Sequence, residues 1–104
     1  MIIRVWRGWV ARGDGDAYEE YIREVTIDGY AKVDGNRGGY LTRRADGDRE
    51  EFCMISFWDS MDAVTGFAGP DPEVAVFYPR DDEFLLEREE RVTHYTVFAT
   101  MPGT

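Results

Sequence analysis

A chain of 104 residues is long enough for one domain with one hydrophobic core, and we expect a single domain over residues 1–104. Hydrophobic residues make up 43% of the chain and aromatic residues 14%, a composition that excludes intrinsic disorder. Acidic residues outnumber basic ones by 21 to 12, and the net charge of −9 disfavours nucleic acid or an anionic membrane as a partner.

Residues 2–10 predict a first strand with two largely apolar faces. Ile2, Arg4, Trp6, Gly8 and Val10 share one face, and Ile3, Val5, Arg7 and Trp9 share the other. Trp6 and Trp9 on either side of Arg7 are typical of a packed interface or of an aromatic-walled pocket. Because Arg4 and Arg7 interrupt the apolar run, we expect it to be neither a signal peptide nor a membrane span, and we expect a cytoplasmic protein.

The next segment predicts a surface helix that lies on the sheet. Asp16 and Glu19 have the spacing of a capping box, and Gly29 is placed to end the helix. Its apolar residues recur at helical spacing: Ala17, Tyr18, Tyr21, Ile22 and Val25.

A glycine-rich loop is predicted over residues 31–39. It lacks the lysine and the preceding strand of a phosphate-binding loop. A second strand begins at Tyr40, and Asp46 with Gly47 predicts a tight hairpin turn into the third strand.

Residues 51–58 predict a strand that is apolar on both faces and runs directly into a helix. Ser60 is placed as the N-cap of this helix, and Gly69 is placed to end it. Cys53 lies within the strand, so we expect a buried and unreactive thiol.

The remaining third of the chain predicts two short helical segments and a last strand. Asp71 and Pro72 resemble the start of a helix over Glu73 to Tyr78, and Asp81 or Asp82 is placed to cap a further turn. Residues 91–99 alternate and are rich in strand-forming side chains, with the only histidine, His94, near their start.

This order of elements predicts an α+β protein with the ferredoxin-like split βαβ arrangement, in which helices cover one face of a four-stranded antiparallel sheet. The other face is also apolar and needs cover. A second copy related by a two-fold axis would cover it, so we expect a homodimer.

The chain resembles the antibiotic biosynthesis monooxygenase-like family of the dimeric α/β-barrel superfamily. The residues that carry the resemblance are Ile3 to Trp9, Phe57 to Ala63 with Phe67 to Gly69, and Arg91 to Tyr95. It covers essentially the whole chain, and it implies paired subunits that form a dimeric α/β barrel, with a pocket between sheet and helices in each subunit.

The resemblance implies one of several activities. Some family members oxidise aromatic polyketide phenols with molecular oxygen and without metal or flavin, others bind and degrade haem, and many have no established activity. Trp58 matches the tryptophan of the haem-degrading members. Trp6 stands at or beside their asparagine, and residues 61–69 lack their histidine, so the match to a haem site is incomplete.

Four residues are the candidate site. His94 is the candidate catalytic base, because histidine alone titrates near neutrality, although a strand histidine at an interface is the alternative. Trp58 and Trp6 are candidate substrate-binding walls or else core residues. Arg4 is a candidate donor to a phenolate or enolate, with an interface salt bridge as its alternative.

The sequence contains no Cys/His metal spacing, dinucleotide fingerprint or catalytic triad, so we expect neither metal nor cofactor. Our leading hypothesis is a cofactor-independent monooxygenase that oxidises an aromatic phenol or quinol of the polyketide type. The alternative is a non-catalytic dimeric module that binds a small hydrophobic ligand or a partner, and haem binding is the third hypothesis.

Overall fold

A computed structural model of the chain describes residues 1–103. It contains five antiparallel strands and three helices. In chain order they are β1 (Ile2–Ala11), α1 (Gly15–Tyr30), β2 (Asn36–Asp46), β3 (Arg49–Trp58), α2 (Met61–Ala68), α3 (Asp81–Phe84), β4 (Leu85–Arg88) and β5 (Thr93–Thr96).

The strands form one antiparallel sheet in the order β2-β3-β1-β4, and β5 also pairs with β1. β1 pairs with β3 along its full length, from Ile2 opposite Trp58 to Ala11 opposite Arg49. Its other edge is shared, because β4 pairs with residues 8–10 and β5 with residues 2–5. The predicted α+β ferredoxin-like fold is confirmed. The strand expected over residues 91–99 is present only as the short β5, and β4 is an additional strand that was not expected.

The helix predicted over Glu73 to Tyr78 is wrong. Val74 forms only an isolated bridge with Arg91. Backbone groups of this segment form hydrogen bonds with residues 90 and 92 instead of with each other: Ala75 N–H donates to Glu90 O, and Val92 N–H donates to Glu73 O. A helix needs these groups for its own hydrogen bonds, so the segment remains an extended strap over the end of the sheet.

The predicted N-cap and the predicted end of α2 are confirmed. Ser60 is the N-cap, and its hydroxyl accepts from the backbone N–H of Ala63. Gly69 ends the helix with a positive φ of 95°.

The capping box predicted for α1 is wrong. This helix continues from a 3-10 turn at Arg12–Asp14 and has no side-chain cap. Asp16 and Glu19 instead bind the guanidinium of Arg43.

Helices and strap cover the even-numbered face of β1. The buried side chains beneath them are mostly large and apolar: Trp6, Val10, Tyr18, Ile22, Phe52 and Trp58. The opposite face, which we call the open face, keeps apolar side chains half-exposed or exposed: Ile3, Val5, Tyr40, Ile55, Phe57 and Tyr95. None of the helices within residues 1–103 is long and apolar enough to cross a membrane.

Candidate functional site

Two adjoining cavities lie on the helix-covered face of the sheet. The larger, which we call the groove, has a volume of about 240 Å³ and lies between the last turns of α1, the start of β2 and the second half of β3. The smaller, the inner cavity, has a volume of about 20 Å³ and lies under α2 and the strap. Tyr30, Met54 and Ser56 line both cavities and form the wall between them.

Arg4 supplies the positive charge of the inner cavity. It is 4% exposed, because β1 directs its side chain under the strap. Its guanidinium donates to the carbonyls of Pro72 and Val74, and it lies 5.7 Å from the ring centroid of Phe67. No carboxylate of residues 1–103 pairs with it, and burial lowers its pKa from a very high value. A buried cation without a counter-ion favours the approach of an anion.

His94 faces Arg4 from the neighbouring strand. Arg4 and His94 are opposite each other in the β1–β5 pairing, and Arg4 Nη1 lies 3.0 Å from His94 Nε2. A guanidinium can only donate, so Nε2 accepts this bond and the ring is neutral with its proton on Nδ1. Burial, together with the Arg4 charge, lowers the His94 pKa below its ordinary value. His94 lines neither cavity.

Trp58 lies behind the cavities rather than in them. It is fully buried, and its indole N–H donates to Ser56 Oγ at 2.9 Å. Its ring packs against Phe67 and Tyr30, with centroids at 5.3 and 5.9 Å. Trp58 therefore positions Ser56 and Tyr30, which do line the cavities.

Trp6 forms a wall of the inner cavity. Its indole N–H donates to the Glu89 carbonyl at 2.8 Å, and its ring meets Phe77 edge-to-face. The ring lies over Gly8, where an added Cβ would come within 2.4 Å of it. The glycine is therefore what allows a tryptophan to lie flat on this strand.

The structure brings Arg4, Trp6 and His94 together, with Trp58 one layer behind. Sequence reasoning missed Tyr30, Asn36 and Thr26 in the groove. Tyr30 is one residue beyond the predicted helix end, and the start of β2 looked like loop. No sequence signal distinguished these side chains from ordinary helix and loop residues.

Tyr78 is a further polar group of the inner cavity. Its hydroxyl is buried and has no hydrogen-bond partner in residues 1–103, and burial raises its pKa. Asp81 fixes its position, because one carboxylate oxygen accepts from the Tyr78 backbone N–H at 2.7 Å and the other from the Tyr18 hydroxyl at 3.1 Å. Burial raises the pKa of Asp81, which is 2% exposed.

The tyrosine at the shared wall combines an aromatic face with a hydroxyl that stays protonated. Burial raises the Tyr30 pKa, while the Arg4 charge and the Ser56 hydroxyl partly oppose that shift. The arrangement can bind a flat apolar body in the groove, place an oxygen substituent at the hydroxyls of the wall, and favour negative charge there through Arg4.

The chain is a two-layer α+β domain with a cavity of about 240 Å³ between its helices and its antiparallel sheet. Residues 1–71 match the sequence model of the antibiotic biosynthesis monooxygenase family, and the chain belongs to that family. None of the curated proteins compared with it matches the sequence.

Solved structures show the same fold. The haem-degrading protein MhuD of Mycobacterium tuberculosis, with two haems in its active site, has a TM-score of 0.68 at 16% identity, covering 98% of this chain and 100% of that one. SnoaB of Streptomyces nogalater, a cofactor-independent oxygenase, has a TM-score of 0.65 at 20% identity over 98% of each chain. A putative antibiotic biosynthesis monooxygenase of Bacillus cereus has 0.66 at 15% identity, covering 98% and 97%. At these identities the likeness establishes the fold alone.

Proposed function

We propose that this protein is a cofactor-independent monooxygenase that oxidises an aromatic phenol or quinol with molecular oxygen. The observation that carries the proposal is Arg4, a buried guanidinium without a carboxylate partner in residues 1–103, beside an apolar groove of ligand size. Family membership and the shared fold of the oxygenase SnoaB support it.

The reaction balances without an external reductant. A phenol has a pKa of about 10, and the Arg4 charge favours its phenolate at the inner end of the groove. The phenolate gives an electron pair, through one-electron steps, to form a bond between its para carbon and O₂. The para C–H proton then moves to the terminal peroxide oxygen, and the C–H electron pair forms the C=O bond as the O–O bond breaks. A quinone and hydroxide form, and hydroxide takes up the proton that the phenol released to solvent, so phenol and O₂ give quinone and water.

The four candidate residues take separate roles in this proposal. The positive charge of Arg4 stabilises the phenolate on the other side of the wall between the two cavities. Trp6 closes the inner cavity. Trp58 orients the Ser56 hydroxyl toward the ligand. Because the Nε2 lone pair of His94 is directed at Arg4, we propose that His94 holds the guanidinium in place rather than taking a substrate proton.

We also propose that two copies pair through the open face, as in a dimeric α/β barrel. Burial of four large side chains there would contribute roughly 5–10 kcal/mol before the cost of association. Two of the aromatic residues, Tyr40 and Tyr95, are 66% and 57% exposed in the single chain, so a partner has substantial apolar surface left to cover.

The second candidate is a non-catalytic module that binds a small hydrophobic ligand. One observation favours it: Arg4 donates to the Pro72 and Val74 carbonyls, which gives the guanidinium a structural use without any reaction. Ligand binding without oxygen uptake would support this candidate over the enzyme.

Oxygen uptake by the purified protein tests the proposal. With 1-naphthol, whose para carbon carries a hydrogen, we expect uptake above the buffer rate. Arg4→Gln should reduce kcat/KM by roughly 10²–10³-fold, the usual effect of losing one anion-stabilising donor. Arg23→Gln is the matched control, because Arg23 is on the wet side of α1 and, within residues 1–103, pairs only with Glu19. No uptake with the wild type, or equal rates in the two variants, would contradict the proposal.

A further inference from the structure

We propose that the groove selects ligands of one or two fused aromatic rings, that it excludes larger ones, and that Thr26 sets its depth. The identity of the ligand as a substrate rests on the proposed function. The size limit itself rests only on the shape and rigidity of the groove.

The volume of the groove sets the first limit. A rigid apolar cavity of roughly 150 Å³ takes a benzene ring, and sites for drug-sized ligands begin at about 300 Å³. The groove, at about 240 Å³, lies between these values. The inner cavity adds only about 20 Å³ beyond the shared wall, which is too little for another ring.

The end of the groove at the start of β2 is held closed by Asn36. Its amide nitrogen donates to the Tyr30 carbonyl at 2.9 Å, and its amide oxygen accepts from the Gly38 backbone N–H at 2.9 Å. The first bond fastens the beginning of β2 to the end of α1, and the second fixes the orientation of the Asn36 amide. The groove cannot lengthen in this direction without breaking the bond to Tyr30.

The strand side of the groove is formed by backbone in close contact. A Cβ added at Gly39 would lie 2.2 Å from the Ile55 carbonyl oxygen and 2.8 Å from the Ser56 Cα. β2 and β3 therefore meet here with no side chain between them that could rotate aside. A larger ligand would need movement of paired strands rather than a new rotamer.

Thr26 forms part of the wall that α1 contributes to the groove. This residue is 4% exposed, and its hydroxyl donates to the Ile22 carbonyl one turn earlier in α1. The hydroxyl is thus satisfied within its own helix, and the methyl group is left as the contact surface. A change of side-chain size at Thr26 alters the depth of the groove without breaking a bond to another element.

Polarity in the groove gives the ligand one orientation. Ser56, at the inner end, is 8% exposed, whereas Ile27 and Leu41 at the rim are 62% and 43% exposed. A ring hydroxyl would therefore point inward to Ser56 and Tyr30, and the apolar edge of the rings would meet the rim.

Isothermal titration with phenol, 1-naphthol and 1-hydroxypyrene tests the size limit, since these probes carry the same hydroxyl on one, two and four rings. Apolar surface alone would make 1-hydroxypyrene the tightest ligand. We expect the reverse, with 1-hydroxypyrene at least about tenfold weaker than 1-naphthol, the scale on which a filled pocket discriminates by one small group.

Variants at Thr26 test its role. Thr26→Leu should weaken 1-naphthol by about tenfold, and Thr26→Ala should strengthen 1-hydroxypyrene. Arg23→Leu adds the same leucine on the wet side of α1 and should change neither affinity. If Thr26→Leu does not fold, Thr26→Ala with 1-hydroxypyrene decides.

Three results would overturn the size limit: no binding of any probe, 1-hydroxypyrene binding as tightly as 1-naphthol, or unchanged affinities in both Thr26 variants. The expected binding pattern without oxygen uptake would instead refute the proposed enzyme and leave the groove assignment intact. The two failures are therefore distinguishable.

Discussion

Replacement of Asp81 by alanine should destabilise the protein strongly. The Asp81 carboxylate is 2% exposed and accepts from the Tyr18 hydroxyl and the Tyr78 backbone N–H. Alanine leaves both donors unpaired, and Tyr18 is fully buried. Each unpaired buried donor costs about 1–3 kcal/mol, so we expect a loss of about 4 kcal/mol in the free energy of unfolding.

Asp81→Asn is the informative partner of this variant. Its amide oxygen can accept from the Tyr78 N–H, and its NH₂ group can donate to the Tyr18 oxygen, so both contacts survive. Burial raises the pKa of Asp81 in the folded state. The wild type is therefore stabilised relative to Asp81→Asn at low pH, where the acid is neutral. That advantage is lost as the pH rises through the folded pKa, since the buried charge must then form.

Urea denaturation followed by tryptophan fluorescence and circular dichroism measures both effects. At pH 7 we expect Asp81→Asn to equal or exceed the wild type in stability, and at about pH 4 to fall below it. A loss under about 1 kcal/mol for Asp81→Ala would refute the reasoning. So would an asparagine variant that behaves like the alanine variant at both pH values.

Four further outcomes follow from the site. His94→Gln should retain most activity in steady-state assays, because a glutamine oxygen can still accept from Arg4, whereas His94→Ala should lose most of it. If His94 were the catalytic base, both variants would be inactive. The lowered pKa of His94 means that its contribution to stability is present above pH 6.5 and is lost as the pH falls through its folded value, a trend that unfolding of His94→Gln should lack. Trp58→Ala should cost about 3–5 kcal/mol in unfolding experiments, since it empties a fully buried site. Phe57→Glu on the open face should convert a dimer to a monomer in sedimentation, and an unchanged mass would contradict the proposed pairing.

Most of the sheet and both longer helices follow from local patterns. Alternating apolar residues identify β1 and β3, and the cap at Ser60 is made by its own neighbour three residues on. Such signals are short-range, and a sequence displays them directly. The arrangement of β4 and β5 on one edge of β1 is not local, so it was predicted only in part.

The strap and the cavity walls could not be read from the sequence because their determinants are distant. Arg4 binds carbonyls 68 and 70 residues away. The backbone bonds of Glu73 and Ala75 with residues 92 and 90 keep the strap extended, although its local pattern favours a helix. Asp81 or Asp82 was expected to cap a helical turn, and the Asp81 carboxylate instead accepts from a tyrosine 63 residues earlier. The site candidates Arg4 and Trp6 were recognisable, while the groove appears only when α1 meets β2.

The place of β1 in the sheet bears on how the chain folds as it is synthesised. The first strand to be made lies between β3 and the late strands β4 and β5, so one of its edges stays unpaired until the last part of the chain is available. Pairings between such distant residues delay folding, and we expect millisecond-to-second kinetics. A nascent chain that ends after α2 would expose the unpaired edge of β1, with its tryptophans, to chaperones or to other chains.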